Sequence, residues 1–172
     1  MEGQYVTIVI RGRAEFLTLC EVEVTVQPSG TINIAKGGKV TQSSIAFYGY
    51  PQRAVDGNLA SSYTQKSCTH TRKQRNPWWR LDLQKTYRIN TVTITNRKDC
   101  CSDRINGAEI RVGNSLHGRP NPICAVISSI EAGTSKTFEC NGMEGQYVTI
   151  VIRGRREFLT LCEVEVTGTE AK

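Results

Sequence analysis

His70, Arg97, Asp99 and Arg104 stand in the segments SCTHTR and NRKDCCSDR at spacings that could do recognition chemistry. Two guanidiniums and an imidazole suit a neutral polyol such as a sugar, because burying its hydroxyls costs free energy unless hydrogen-bond donors replace water. Arginine's planar fork donates to two adjacent oxygens at once, and so discriminates hydroxyl stereochemistry better than a lysine's point charge. Asp99, two residues after Arg97, is placed to orient the arginines through charge-assisted hydrogen bonds. Taken singly, each of these is also an ordinary loop residue; the joint spacing carries the argument. Between the arginines lie Cys100 and Cys101. A disulfide joining such neighbours closes a tight ring and offers a rigid, polarisable face to a sugar's C–H surface; the alternative is that each cysteine pairs with a distant partner. Phe47, Tyr48, Tyr50 and Tyr63 are candidates for an apolar pocket against a ligand, or equally for core packing.

The elements that must hold these residues read as strands. Trp79, Leu81 and Leu83 alternate with Arg80 and Asp82, the two-residue period of a half-buried strand. The same pattern returns at Val92 and Ile94, at Ala108, Ile110 and Val112, and at Cys162, Val164 and Val166. No stretch carries a helical apolar stripe. Short strands between Gly, Pro, Asn and Asp turns predict an all-β, antiparallel β-sandwich jelly roll whose loops gather at its ends, so function belongs on loops. Trp78 and Trp79 are expected in the core or at its edge rather than stacked on a ligand, and His117, in a predicted turn, receives no role.

The 172 residues carry a net charge of +6. Lys and Arg are scattered among acidic residues without a long block, which favours a solvated basic surface over a nucleic-acid partner. No apolar run reaches the ~18–20 residues of a membrane span, and residues 1–26 lack the apolar stretch of a signal peptide. The seven cysteines fit neither zinc spacing nor a redox pair. They read as disulfide partners of a secreted protein, six of them allowing fifteen connectivities.

One repeat sets the organisation. Met1–Thr25 and Met143–Thr167 differ only where Ala14 stands against Arg156, at an offset of 142 residues. That offset is the size of a domain. The expected division is a C-terminal strand fragment of a preceding tandem repeat at 1–26, a linker at 27–30, a complete domain at 31–167 and a tail at 168–172. Cys20 is then the stranded copy of Cys162 and stays unpaired, and residues 1–26 offer a strand swap or a homo-oligomer contact.

SCTHTRKQRNPWWRLDL followed by TITNRKDCCSDRINGAEIRVG resembles the F-type lectins, or fucolectins, relatives of the discoidin-like domains. Their signature is a His, twenty-six residues, Arg-x-Asp, four residues and a final Arg or Lys; His70, Arg97, Asp99 and Arg104 match it. The resemblance implies a non-enzymatic lectin for terminal L-fucose on glycans, meeting membranes only through those glycans, with a part in innate recognition. It implies that Arg97 and Arg104 grip the axial hydroxyl and ring oxygen and that His70 is the third polar contact. It implies the disulfides Cys68–Cys162, Cys100–Cys101 and Cys124–Cys140. Phe47, Tyr48 and Tyr63 fall where the family forms its methyl pocket. Arg53-Ala-Val-Asp56-Gly-Asn58 resembles the family's structural Ca2+ loop, with Arg53, Asp56, Asn58, Ser67, Cys162 and Glu163 as the implied ligands; the other reading is an Asp-Gly turn without metal. A glycosidase would need two flanking carboxylates, and Asp99 is the only one at a fixed position of the motif. The remaining rival is a discoidin-like domain on anionic phospholipid.

Overall fold

The computed structural model describes residues 32–172 together with 7–9, 11, 12, 14 and 16–18. Among the described residues the strands are β1 (Lys39–Gln42), β2 (Gln74–Arg75), β3 (Trp78–Thr95), β4 (Glu109–Gly113), β5 (Ile123–Val126), β6 (Ser135–Val151), β7 (Arg156–Glu157) and β8 (Glu163–Glu170). The linker at 27–30 and Cys20 lie outside the described residues.

The long antiparallel pair β3–β6 is the spine. It runs from Trp78↔Val151 to Thr95↔Ser135, with register shifts between Asp82 and Tyr87 and between Ile89 and Thr91. An unmatched residue kinks a strand and adds twist, so both strands turn a corner and serve two layers. On one side of the corner, β3 pairs β1 while β6 pairs β4, which pairs β5. On the other side, β3 pairs β8. The predicted alternation is what the core uses: Trp79, Leu81, Ile110, Val112, Val148 and Ile150 from one layer meet Ile89, Val92, Ile94, Val164 and Val166 from the other. Each such side chain contributes about 1.5–3 kcal/mol when buried. Trp79 is fully buried and its indole N–H donates to the Pro51 carbonyl at 3.0 Å, the core role expected of it.

The expected tail at 168–172 begins later, because Gly168–Glu170 continue β8 against Tyr87–Ile89. Glycine permits this: a Cβ at Gly168 would lie 2.4 Å from the Arg88 carbonyl oxygen. Three disulfides close the fold, Cys68–Cys162, Cys100–Cys101 and Cys124–Cys140, the pairing implied by the family resemblance.

Folding β3 back on itself brings its two ends to the same end of the sandwich. There the Cys162 amide donates to the Thr95 carbonyl, Ile152 to Pro77 and Asn76 to Arg155. The segments holding His70, Arg97 and Arg104, far apart in the chain, are gathered by this corner.

Candidate functional site

His70 is fixed from both sides. Thr69 and Thr71 donate their amides to the Leu161 and Leu159 carbonyls, and their hydroxyls accept the Leu161 and Leu159 amides in return. On the opposite edge, the His70 amide donates to Gly49, and its carbonyl accepts from Ala46 and from the Gln42 side chain. Gly49 must be glycine here, since a Cβ would lie 2.3 Å from the His70 nitrogen.

The imidazole, in a residue only 4% exposed, is walled edge-on by Phe47, Tyr63 and Phe158 at centroid distances of 5.1, 5.5 and 5.2 Å. Its Nδ1 stands 2.7 Å from the Thr71 carbonyl. A carbonyl only accepts, so Nδ1 carries the proton and, in the neutral ring, Nε2 offers a lone pair. Desolvation holds the His70 pKa below its ordinary value, opposed by the Thr71 hydrogen bond and reinforced by the charges of Arg104 and Arg97. Sequence reasoning counted His70 among the donors; its buried, neutral ring makes it an acceptor, because the one proton is spent on the backbone.

Arg97 is held flat. Its Nε and Nη2 donate to the two oxygens of Asp99 at 3.0 and 2.8 Å, and its guanidinium carbon lies 4.6 Å from the Tyr63 ring centroid. Asp99 also accepts the Tyr63 amide at 2.9 Å. The Arg97 hydrogen bonds lead in holding the Asp99 pKa down to about 2. The carboxylate thus fastens a cation and an aromatic turn together, while the Tyr63 hydroxyl donates to the Phe47 carbonyl at 2.6 Å. Arg104 is held by other means: its guanidinium lies 4.6 Å over Phe158, and Nε is 3.9 Å from a Glu157 oxygen. Its carbonyl accepts from Arg155 Nη2 at 2.7 Å. The disulfide-linked Cys100 and Cys101 sit between the two arginines, in a loop pinned by buried Asn96, whose side-chain amide donates to Ser102 and Ile130. One acceptor, two anchored forks and a wall of ring edges make a mouth for a ligand with adjacent hydroxyls and an apolar edge.

A second cluster lies beside this mouth. Glu163 is fully buried; one of its oxygens accepts the Gly57 amide at 3.1 Å and the other has no partner among the described residues. Burial, with the charges of Asp56 and Glu165 adding to it, pushes its pKa up to about 7. Asp56 accepts the Asn58 amide and Asn58 the Ala60 amide, a tight turn. Ser67 donates to the Ser62 carbonyl, and Arg53 donates to the Cys68 carbonyl at 3.3 Å. Cys162 is joined to Cys68 next to Ser67. An unpaired buried carboxylate oxygen beside a second carboxylate is costly unless a cation answers it. The oxygen-rich donors suit a hard cation.

A model of the NedA-like, galactose-binding domain matches residues 53–150. Fucolectin-1 of Anguilla japonica is 49% identical over 144 residues, covering 79% of this chain and 80% of that protein. The chain belongs to the F-type lectin, or fucolectin, family. A serum fucolectin of Morone saxatilis (striped bass), solved by crystallography, shares 53% identity at a TM-score of 0.80, over 83% of this chain and 49% of that one. The lectin domain of lectinolysin complexed with Lewis B antigen shares 32% identity at a TM-score of 0.72, over 80% of this chain and 96% of that domain. The chain spans only 36% of a Xenopus laevis pentraxin fusion protein that it matches at 46% identity over 83% of its own length.

Within this F-type lectin the structure brings Phe47 and Tyr63 to His70 and leaves Tyr48 and Tyr50 outside those ring contacts. Phe158 and Glu157 were missed by sequence reasoning. They lie in the EFLTLC stretch of the repeat, where an apolar residue before a strand reads as core and nothing local marks its ring as the platform for Arg104.

Proposed function

We propose that this F-type lectin binds terminal L-fucose on glycans at the His70–Arg97–Arg104 mouth, without catalysis. The observation that carries the reading is the pairing of one neutral acceptor, His70 Nε2, with two guanidiniums held over aromatic rings. The donors and acceptor are matched to vicinal hydroxyls and a ring oxygen, and the apolar edges of Phe47, Tyr63 and Phe158 suit a methyl group. The disulfide face of Cys100 and Cys101 and the exposed Tyr48 extend the apolar rim. Asp99 acts through Arg97 as a positioning residue. Names borne by relatives support the sugar class: fucolectins, and a fucose binding module of Streptococcus pneumoniae at 31% identity and a TM-score of 0.70.

The second part of the proposal is a structural Ca2+ held by Glu163 and Asp56 with carbonyl oxygens of Arg53, Asn58 and Cys162 and with Ser67. The cation would supply the charge that the buried Glu163 oxygen lacks. The chain's own residues then tie the 53–58 turn to β8 and the Cys68–Cys162 bridge, stiffening the base under His70. Three disulfides fit a secreted protein in an oxidising compartment, and soluble recognition of foreign glycans fits such a setting.

The deciding experiment is calorimetric titration of L-fucose and D-galactose with Ca2+ present, comparing wild type with Arg97→Ala and Arg104→Ala. Fucose binding by the wild type and its loss in both variants is the expected result. No fucose binding by the oxidised protein overturns the reading. Binding to phosphatidylserine vesicles in its place moves it to the phospholipid alternative, which Phe47 and Tyr48, 68% and 76% exposed at a loop tip, would serve.

A further inference from the structure

The outer face of the β1–β3–β6–β4–β5 layer carries a cleft of about 240 Å³ that the sugar mouth does not use. Its floor is set by strand register. Thr149 on β6 is paired with Arg80 of β3 on one side and with Arg111 of β4 on the other. With strands about 4.8 Å apart, the two arginines flank Thr149 at the same level, about 10 Å from each other. Cross-strand neighbours present their side chains on one face, so two guanidiniums share this floor with a single strand between them. Arg119 and Arg153 close the rim, and among the described residues no Asp or Glu lines the cleft.

The four guanidiniums are unequally satisfied. Arg111 is paired with Glu109 at 2.6 Å and donates to the Asn121 carbonyl. Arg80 lies 4.7 Å over the Trp78 ring and, among the described residues, donates its Nε alone, to Thr149 at 3.3 Å. Arg80, Arg119 and Arg153 have no carboxylate within ion-pair distance among the described residues. The loop above them is built in advance: Ser115 and Asn121 exchange two hydrogen bonds, at 2.9 and 3.0 Å, and the Ser115 hydroxyl donates to the His117 carbonyl. Leu116 and Pro120 of that loop, with Val151 and the Trp78 indole, give the cleft an apolar side.

We propose that this cleft is a second binding site, for an acidic saccharide unit bearing a sulfate or carboxylate. Guanidinium forks match the planar carboxylate and the tripod of a sulfate bidentately. The apolar side takes the C–H face of one ring. The volume, below the ~300–1,000 Å³ of pockets for drug-sized ligands, fits one ring with its acidic group rather than a long chain buried along its length. The site is separate from the fucose mouth, and a single turn stands between them: Gly154 donates to the Asn76 side chain at the cleft, while Arg155 donates to the Arg104 carbonyl at the mouth. Both sites can therefore be filled together.

The test uses the full chain and a sulfated heparin tetrasaccharide, followed by NMR shift mapping and calorimetry with L-fucose absent and at saturation. The expected result is binding that perturbs Trp78, Arg80 and Ser115–Asn121 and is indifferent to fucose. The double variant Arg119→Ser/Arg153→Ser, at two exposed positions, should weaken it about tenfold or more. The tetrasaccharide stripped of both charges, desulfated and carboxyl-reduced, should not bind. The proposal is overturned by unchanged affinity in the double variant, by shifts confined to other basic surface, by inorganic sulfate binding as tightly as the saccharide, or by phosphatidylserine vesicles binding here when the saccharide does not. Fucose titration of the same samples reads the first site independently, so failure of one reading leaves the other standing.

Discussion

Residues 7–18 and 149–160 are the same sequence apart from Ala14 and Arg156, and the described residues 7–9 and 16–18 differ in structure from their copies at 149–151 and 158–160. Thr149–Val151 lie in β6 between β3 and β4, with Ile150 fully buried. Thr7–Val9 form no strand, and Ile8 is 46% exposed. Leu159 is 1% exposed and its twin Leu17 is 47% exposed. A β-branched run has no strand of its own to form, since its stabilisation comes from cross-strand neighbours and a face to bury. Two strands already flank the C-terminal copy, and each of their outer hydrogen-bonding edges is taken by β1, β8 or β5.

The largest expected effect tests that difference directly. Ile150→Ala should cost about 2–5 kcal/mol, and Ile8→Ala should stay within about 0.5 kcal/mol, read from urea midpoints. Equal costs would mean that the N-terminal copy also packs as a strand in solution. Next comes the proposed metal, which Cys162 and Glu163 of the C-terminal copy would hold against the 53–58 turn. Raising free Ca2+ to about a hundred times its Kd should add about 2.7 kcal/mol of stability. Chelation should remove that gain, and Glu163→Gln should abolish the response in a thermal melt.

Phe158→Leu removes the ring under Arg104 and beside His70, and should weaken fucose about tenfold, the scale of one cation–π contact. Leu17→Ala, at the position matching Leu159 in the other copy, should leave fucose affinity unchanged. The smallest effect is with pH. The His70 pKa is lowered on folding, so Nε2 remains an acceptor at neutral pH and fucose affinity should be flat there. Affinity should fall only below the ordinary 6.5, through the depressed folded value, as a proton occupies Nε2. A rise in affinity on acidification would return His70 to the donor role.

Much of this molecule was legible along the chain. The period-two runs at 79–83, 92–94, 108–112 and 162–166 mark inward faces because a pleated strand alternates sides. Arg97 and Asp99 could be read for the same local reason, being two residues apart and gripping each other without help, whereas His70 and Arg104 were joined to them through the spacing of the family signature. Phe158, Gln42 and Gly49 could not be read, since each acts on a residue far along the chain. The basic cleft was equally hidden, although the charge of +6 hinted at it, because Arg80, Arg111 and Arg153 meet only through the register of three strands.

The amino-acid sequence by itself therefore determined which faces are apolar, which cysteines and polar residues are available, and the chemical type of the ligand they suit. Tertiary structure alone decided that Thr149–Val151 became a strand while Thr7–Val9 did not, that the His70 Nδ1 proton is committed to the Thr71 carbonyl, and that one buried Glu163 oxygen has no partner among the described residues. The physical reason is shared: side-chain chemistry is local, whereas burial, proton placement and strand pairing depend on neighbours that only the folded chain brings within a few ångströms.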